Sequence, residues 1–249
     1  AQRRLHLRGY SGHGSIPLGR VSAVEMLAQV SRALSQAQWP QASDEIWAGF
    51  VRAFEFDSEL EESLISGTYR GDYGEFGDLA AYAHAISHMT VAQTVVRAGG
   101  PINVLPSSGE LELDIRTLPG QSDDDVDRAI TEALGELAEH VTIERLLSER
   151  ATASSIDTKL YRAIEETLRQ ANPGAKVVPI LFPGGSDLRV GRHKGGVGYG
   201  FGSCSSGATL GQVYSQLHAH DEHIAVEDVV STVCALDHLT RVFIYPEKA

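Results

Sequence analysis

The chain has 249 residues, 42% of them hydrophobic, and a formal net charge of −12. That length buries a core in one large or two smaller domains, and the apolar content excludes a disordered chain. The acidic balance excludes a basic nucleic-acid footprint and a cationic membrane-surface patch, and no apolar run approaches the roughly 18 residues that span a bilayer. The two cysteines, Cys204 and Cys234, are far apart and outside any Cys-x-x-Cys pair, so a reducing, cytoplasmic location is expected and a thiolate zinc site is not. The opening "AQRRLHLRGY" is charged and alternating rather than signal-like. A strand starting so early, without Met, raises the expectation that the chain is part of something longer.

In chain order, "RRLHLRGYSG" alternates and ends in Gly-rich punctuation, which predicts a strand and then a loop. In "RVSAVEMLAQVSRALSQA", Val21, Val24, Leu27, Ala28 and Leu34 fall at helical spacing. Residues 39–85 show no clean period until "DLAAYAHAI" and are read as an insertion. "HMTVAQTVVRAG" predicts a strand, and "INVLPSSGELELDIRTLPG" a strand, a turn and a strand, with Leu111, Leu113 and Ile115 facing one way. "SDDDVDRAITEALGEL" carries a Ser122 cap, acids in its first turn and apolar Val126, Ile130, Leu134 and Leu137, which predicts a helix. "VTIERLLSE" closes the unit as a strand. The order β-α-(insertion)-β-β-α-β is the ferredoxin-like pattern. Beyond about residue 154 the reading is a helix at "DTKLYRAIEETLRQA", short buried-type strands at "KVVPILF" and "GVGYGFGS", and a terminal amphipathic helix at "AVEDVVSTVCALDHLTRVF". Together these look like half of an α/β layer.

Four clusters could carry chemistry, and each also has an ordinary structural reading. "LHAHDEH", residues 217–223, packs three histidines and two acids into a stretch that suits zinc or a solvated polar loop. "SGHGSIP", residues 11–17, flanks His13 with glycines; the histidine could donate to a developing oxyanion or sit exposed on a turn. Asn103 and Arg116 are expected on adjacent strands, where Arg116 could clamp a carboxylate or pair with a surface acid such as Glu112. "PGGSDLR", residues 183–189, offers backbone N–H groups and a hydroxyl to a ligand, or caps the next helix.

The ordered series Gly-His-Gly-Ser-x-Pro (12–17), Asn-Val-x-Pro (103–106), Asp-x-Arg-x-x-Pro-Gly (114–120), Gly-Gly-Ser-Asp (184–187) and His-x-x-Asp-Glu (218–222) resembles the co-catalytic dinuclear zinc hydrolases. That family includes glutamate carboxypeptidase, acetylornithine deacetylase, succinyl-diaminopimelate desuccinylase and aminoacylase. The resemblance implies a ferredoxin-like lid and dimerisation domain (α+β) over residues 1–150, holding the insertion at about 39–85. Residues 151–249 would then be the C-terminal segment of a zinc-exopeptidase-like α/β catalytic domain. It further implies His218 as a zinc ligand and His13 as the group that polarises the scissile carbonyl, across a dimer interface. Asn103, Arg116, Gly185 and Ser186 would hold the substrate, a small peptide or N-acyl amino acid cleaved at an amide next to a free carboxylate. The partner implied is a second copy joined through the lid, with no nucleic acid and no membrane.

The family's two zinc ions need further donors and a glutamate base, introduced by a His-x-Asp motif and a Glu-Glu pair. No His-x-Asp occurs here, and the Glu61-Glu62 and Glu165-Glu166 pairs follow no apolar strand. The chain alone is therefore expected to hold at most a partial metal site. The alternatives are a non-catalytic dimerisation module and a metallo-β-lactamase-like hydrolase using His218, His220 and His223.

Overall fold

The computed structural model describes residues 1–42, 44–203 and 207–245; Cys204 lies outside the described residues. The elements run β1 (Gln2–Arg8), β2 (Gly12–His13), α1 (Ala23–Gln36), α2 (Glu45–Arg52), α3 (Ser58–Ile65), α4 (Ala80–Ser87), β3 (Thr90–Ala98), β4 (Val104–Leu105), β5 (Ser108–Arg116), α5 (Asp123–Leu134), β6 (Val141–Leu147), α6 (Lys159–Ala171), α7 (Leu188–His193), α8 (Leu210–Gln216) and α9 (Val226–Ile244). They divide into two compact units, Ala1–Gln41 with His88–Ala151, and Ala42–Ser87 with Thr152–Ala249. Residues 42–87 thus cluster with the C-terminal half. No helix among the described residues is long and apolar enough to cross a membrane.

The first unit is built on an antiparallel sheet ordered β3-β5-β1-β6, the ferredoxin-like arrangement expected from the element order. Alternation puts Leu5 and Leu7 of β1 and Leu111, Leu113 and Ile115 of β5 on one face, all buried. Against that face lie Met26, Val30 and Leu34 of α1 and Val126, Ala129, Ile130 and Leu134 of α5. Burying each side chain of Leu or Val size contributes roughly 1.5–3 kcal/mol, so this core stabilises the unit by itself. Helix α5 starts in a full capping box, with Ser122 and Asp125 satisfying each other's backbone N–H. The helical face expected for α1 is displaced: Val24 and Ala28 are exposed, and Ala23, Met26, Val30 and Leu34 point inward. The sequence offers two overlapping apolar stripes there, and the one carrying Met26 and Val30 meets the sheet.

The other face of this sheet is open and charged. Arg4 lies between Glu112 (3.0 Å) and Glu144 (3.1 Å), Arg97 reaches Glu112 at 2.6 Å, and His6 Nε2 meets Glu144 at 2.8 Å. Arg3, on the buried face, is fully covered and binds Asp127 (2.6 Å) and Asp123, which places two carboxylates of α5 against β1.

The second unit is helical. Asp44 and Asp57 cap α2 and α3 by accepting from Trp47 N–H (2.8 Å) and Leu60 N–H (3.0 Å). Its segment 42–87 has an aromatic core: Trp47 stacks on Phe50 (5.8 Å), Phe50 on Phe76 (5.7 Å), and Phe54 meets Phe76 edge-on (4.8 Å). Helices of eight residues packed through aromatic rings leave no long aliphatic period, which is why this stretch reads as an insertion without structure. Helix α6 packs on α9 through Ala163, Ile164 and Leu239, with Tyr199 and Phe201 beside them. The expected strands at 176–182 and 196–203 are not formed, and no strand occurs among the described residues of this unit. A buried-type strand needs a hydrogen-bonding neighbour. Here Pro179 lacks a donor, and the carbonyl of Gly198 is taken by the Arg192 guanidinium (2.5 Å).

Candidate functional site

In the first unit, chain geometry lifts His13 and Asn103 off the main sheet together. Beyond β1 the backbone bends at Gly9, where a Cβ would overlap the backbone of Ala23 (2.8 Å to its Cα), so only glycine fits. Gly9 N–H donates to Ser107 O (2.9 Å) and Ala23 N–H to Pro106 O (2.8 Å). These bonds pin both departing chains before they re-pair as the β2–β4 ribbon, with His13 opposite Val104. Gly14 N–H then donates to Asn103 O at 2.7 Å, an approach that a side chain at Gly14 would crowd. Asn103 sits in the turn that introduces β4 and not on a strand beside β5. The expected adjacent-strand placement of Asn103 and Arg116 is corrected accordingly. Pro101 starts a turn closed by Val104 N–H on Pro101 O (3.0 Å), which shortens the predicted strand to two residues.

His13 is exposed, and its ring is oriented by Ser15, whose backbone N–H (3.2 Å) and hydroxyl (2.8 Å) both meet Nδ1. A backbone N–H can only donate, so Nδ1 is the acceptor and the neutral ring carries its proton on Nε2. The ring therefore presents an N–H outward. Sequence reading does not single out Ser15 as the residue that orients this ring; the signal for it is the His-Gly-Ser spacing, two residues after the histidine.

Arg116 ends β5, opposite Thr90 of β3. Its Nε (3.0 Å) and Nη2 (2.7 Å) both donate to Asp114 Oδ2, the residue two positions back on the same face. The acid that holds it is Asp114, not Glu112. Glu112 belongs to the Arg97–Arg4 network, whose hydrogen bonds, Arg97 first, keep its carboxyl below the usual range. Ser108 begins β5 beside the His13–Asn103 ribbon and Arg116 ends it, so the full length of β5, ~25 Å at about 3.3 Å per residue, runs between the two attachment points.

In the second unit, Gly185 and Ser186 form the turn into α7. Ser186 Oγ accepts from Leu188 N–H (3.2 Å), which leaves its own hydroxyl proton available. Gly185 is exposed, with open space where a Cβ would be. His218 lies in the turn after α8 with φ +58°, exposed, its backbone N–H donating to Glu222 (3.2 Å). His223 Nδ1 lies 2.7 Å from Asp221 O. No group of three or more His, Cys, Asp or Glu among the described residues could hold a metal ion. The donor set present does not fit a metal pair, and it does not gather His218, His220 and His223 into a site.

Residues 1–142 match the family model for M20_dimer, the peptidase dimerisation domain. A curated relative, a probable carboxypeptidase S-like 2 of Dictyostelium discoideum, is 26% identical over 107 residues, 42% of this chain and 20% of that protein. Among solved structures, an M20 family metallo-carboxypeptidase of Sulfolobus solfataricus has a TM-score of 0.61 at 17% identity, covering 97% of this chain and 57% of that one. A tripeptidase of Staphylococcus aureus has a TM-score of 0.55 at 16% identity, covering 97% and 51%. The chain thus spans about a fifth of the curated relative and little more than half of the solved ones, and the structural likeness is one of fold. The match over residues 1–142, more than half of the chain, together with a ferredoxin-like sheet of the expected order, places the chain in the M20 peptidase family through its dimerisation domain.

Proposed function

We propose that the chain is the dimerisation lid and a C-terminal catalytic segment of a zinc-dependent hydrolase that cleaves an amide or peptide bond next to a free carboxylate. Residues 1–150 supply the lid and 151–249 the catalytic segment. His13 donates its Nε2–H to the oxyanion that develops on the scissile carbonyl. Asn103, fixed beside it, orients the substrate, and Arg116 holds the carboxylate. Gly185 and Ser186 offer backbone and hydroxyl donors. His218 is one metal donor; the remaining donors and the general base are not supplied by the residues described, so this chain alone is expected to lack turnover.

The observation that carries this reading is the position of the candidate residues at opposite ends of β5. One small substrate cannot reach both ends, ~25 Å apart. Strand β3 is an outer strand of nine residues, rich in Thr and Val, with Arg97 as its one charge. The other edge strand, β6, carries Glu144 and Arg145; each edge strand has one register shift against its neighbour, in β3 between Gln93 and Val95 and in β6 opposite Gln2 and Arg3. An edge as poor in charge as β3 favours pairing with another strand. If β3 pairs antiparallel with β3 of a second copy, Thr90 and the adjoining Arg116 of one copy come beside Ala98 and the His13–Asn103 ribbon of the other. The lid dimer then assembles what one chain keeps apart.

Two measurements test this. Light scattering behind size exclusion should give a dimer, and a monomer at tens of micromolar would overturn the lid pairing. Binding of N-acetylglycine, followed by NMR, should be lost in both His13→Ala and Arg116→Ala. An equimolar mixture of the two variants should recover about a quarter of the sites, because half of randomly mixed dimers are mixed and one of their two sites is intact. No recovery on mixing would place both residues in one chain's site.

A further inference from the structure

We infer that Phe182 is the wall of a side-chain subsite beside the Gly185–Ser186 turn, and that it selects substrates with an aromatic or large apolar side chain. This rests on the proposed role of that turn in holding substrate.

Phe182 is a large apolar side chain left 54% exposed, with contacts on two sides. Its ring leans on Tyr214 of α8 (6.2 Å, 35°), which stacks on Tyr82 of α4 (4.7 Å, 28°). The Tyr82 hydroxyl donates to Leu181 O at 2.5 Å and so fixes the backbone one residue before Phe182. Burial pushes the Tyr82 hydroxyl well above its ordinary titration range, so this donor stays protonated. On the other side the chain folds back over the ring: a Cβ at Gly184 would lie 2.7 Å from Phe182 Cζ. A side chain at 184 would therefore push the ring aside, and Gly185 and Ser186 follow at once. The exposed ring and the exposed turn form one pre-ordered body.

An exposed aromatic face beside backbone and hydroxyl donors can orient a ligand by its polar groups and select it by its apolar side chain. Tyr214 and Tyr82 back the ring with a further apolar layer, and none of the three has to be ordered when a ligand arrives. An aromatic ligand ring can stack on Phe182 offset or edge-on, whereas a hydrogen in its place gains nothing from that face.

The test uses the whole chain and two probes, N-acetyl-L-phenylalanine and N-acetylglycine, titrated by NMR. N-acetyl-L-phenylalanine should bind about tenfold more tightly, and Phe182→Ala should bring the two affinities together by weakening N-acetyl-L-phenylalanine more than N-acetylglycine. Phe182→Leu, which keeps an apolar surface, should retain part of the preference, and unaltered far-ultraviolet circular dichroism checks that both variants fold. Equal affinities in the native chain, or a preference that survives Phe182→Ala, would overturn the subsite. If both probes bind and neither responds to Arg116→Ala, the carboxylate reading fails while the aromatic wall stands. If neither probe binds at millimolar concentration, both fail together.

Discussion

The two units of this chain solve the problem of burying apolar surface differently. In the first, every apolar residue of β1 and β5 that faces inward meets a helix, and the opposite face is charged and open to water. In the second, α9 buries Leu239 against α6, and buries Ala235, yet leaves Val226, Val229, Val230 and Val233 exposed on other sides. A helix apolar around most of its circumference is of the type found buried in a larger core. The first unit therefore has a closed core of its own, and the second rests on small contacts and on its aromatic cluster. The family match covers residues 1–142, over the first unit and the segment 42–87 of the second. Among the candidate groups, the residues held most firmly, His13 and Asn103, are there, whereas His218 sits on an exposed turn.

The largest effect expected from this contrast is in the cores. Leu111→Ala, at a position with no exposure, should cost about 3–5 kcal/mol by urea denaturation. Leu239→Ala, at the edge of a small cluster, should cost about 2–3 kcal/mol and should alter only the earlier of two transitions. Equal costs, or one transition in both variants, would break the distinction between a closed and an open core.

Next in size is Gly9→Ala. The added methyl overlaps the backbone at Ala23, so the bend that launches the β2–β4 ribbon must shift, at a cost of about 1–3 kcal/mol. Hydrogen exchange at Gly14, whose N–H is bonded to Asn103 O, should accelerate more than exchange in β5. Uniform acceleration would mean that the ribbon and the main sheet open as one.

Sequence and structure agree where a local rule and the long-range packing point the same way. The Leu111-Leu113-Ile115 alternation and the Ser122 cap were legible because a strand against two helices and a capped helix follow from the local pattern. The inward face of α1 was not, since Val24 and Met26 are equally apolar and only the position of the sheet chooses between them. The apolar run at 176–182 read as a strand from composition, but strand formation depends on a neighbour that the local sequence does not encode. For the candidate site, the residue types were legible and their separation was not. Asn103 and Arg116 are thirteen positions apart, which fits adjacent strands, and a two-residue ribbon at one end of β5 places them at opposite ends instead.

The orientation of His13 offers a finer test of the first unit. Ser15→Ala removes the hydroxyl from Nδ1 and leaves the weaker 3.2 Å backbone donor. Global stability should change by less than about 0.5 kcal/mol, as for other exposed positions. The ring nitrogen chemical shifts should move from the Nε2–H form toward a mixture of tautomers. Unchanged shifts would mean that the backbone N–H alone sets the ring.

The smallest effect expected is on the open face of the first unit's sheet, where pairs are solvated and salt-screened. Glu144 is held below its ordinary titration range, first by the hydrogen bond from His6 and then by Arg4. A carboxylate whose folded value is depressed favours the folded state above its unfolded value of about 4.3, and that contribution is lost as pH falls through the lower folded value. The melting temperature of the first unit should therefore fall between about pH 5 and pH 3, and Glu144→Gln should remove part of that slope while leaving the melt at pH 7 closest to the native chain's among these variants. Because His6 and Arg4 share Glu144 on β1, added salt should shrink the slope in the native chain more than in the variant. A slope unchanged by Glu144→Gln would assign the acid sensitivity to the unit's other lowered carboxylates, Glu112, Asp123 and Asp125, of which Asp123, lowered first by the hydrogen bond from buried Arg3, should respond least to salt.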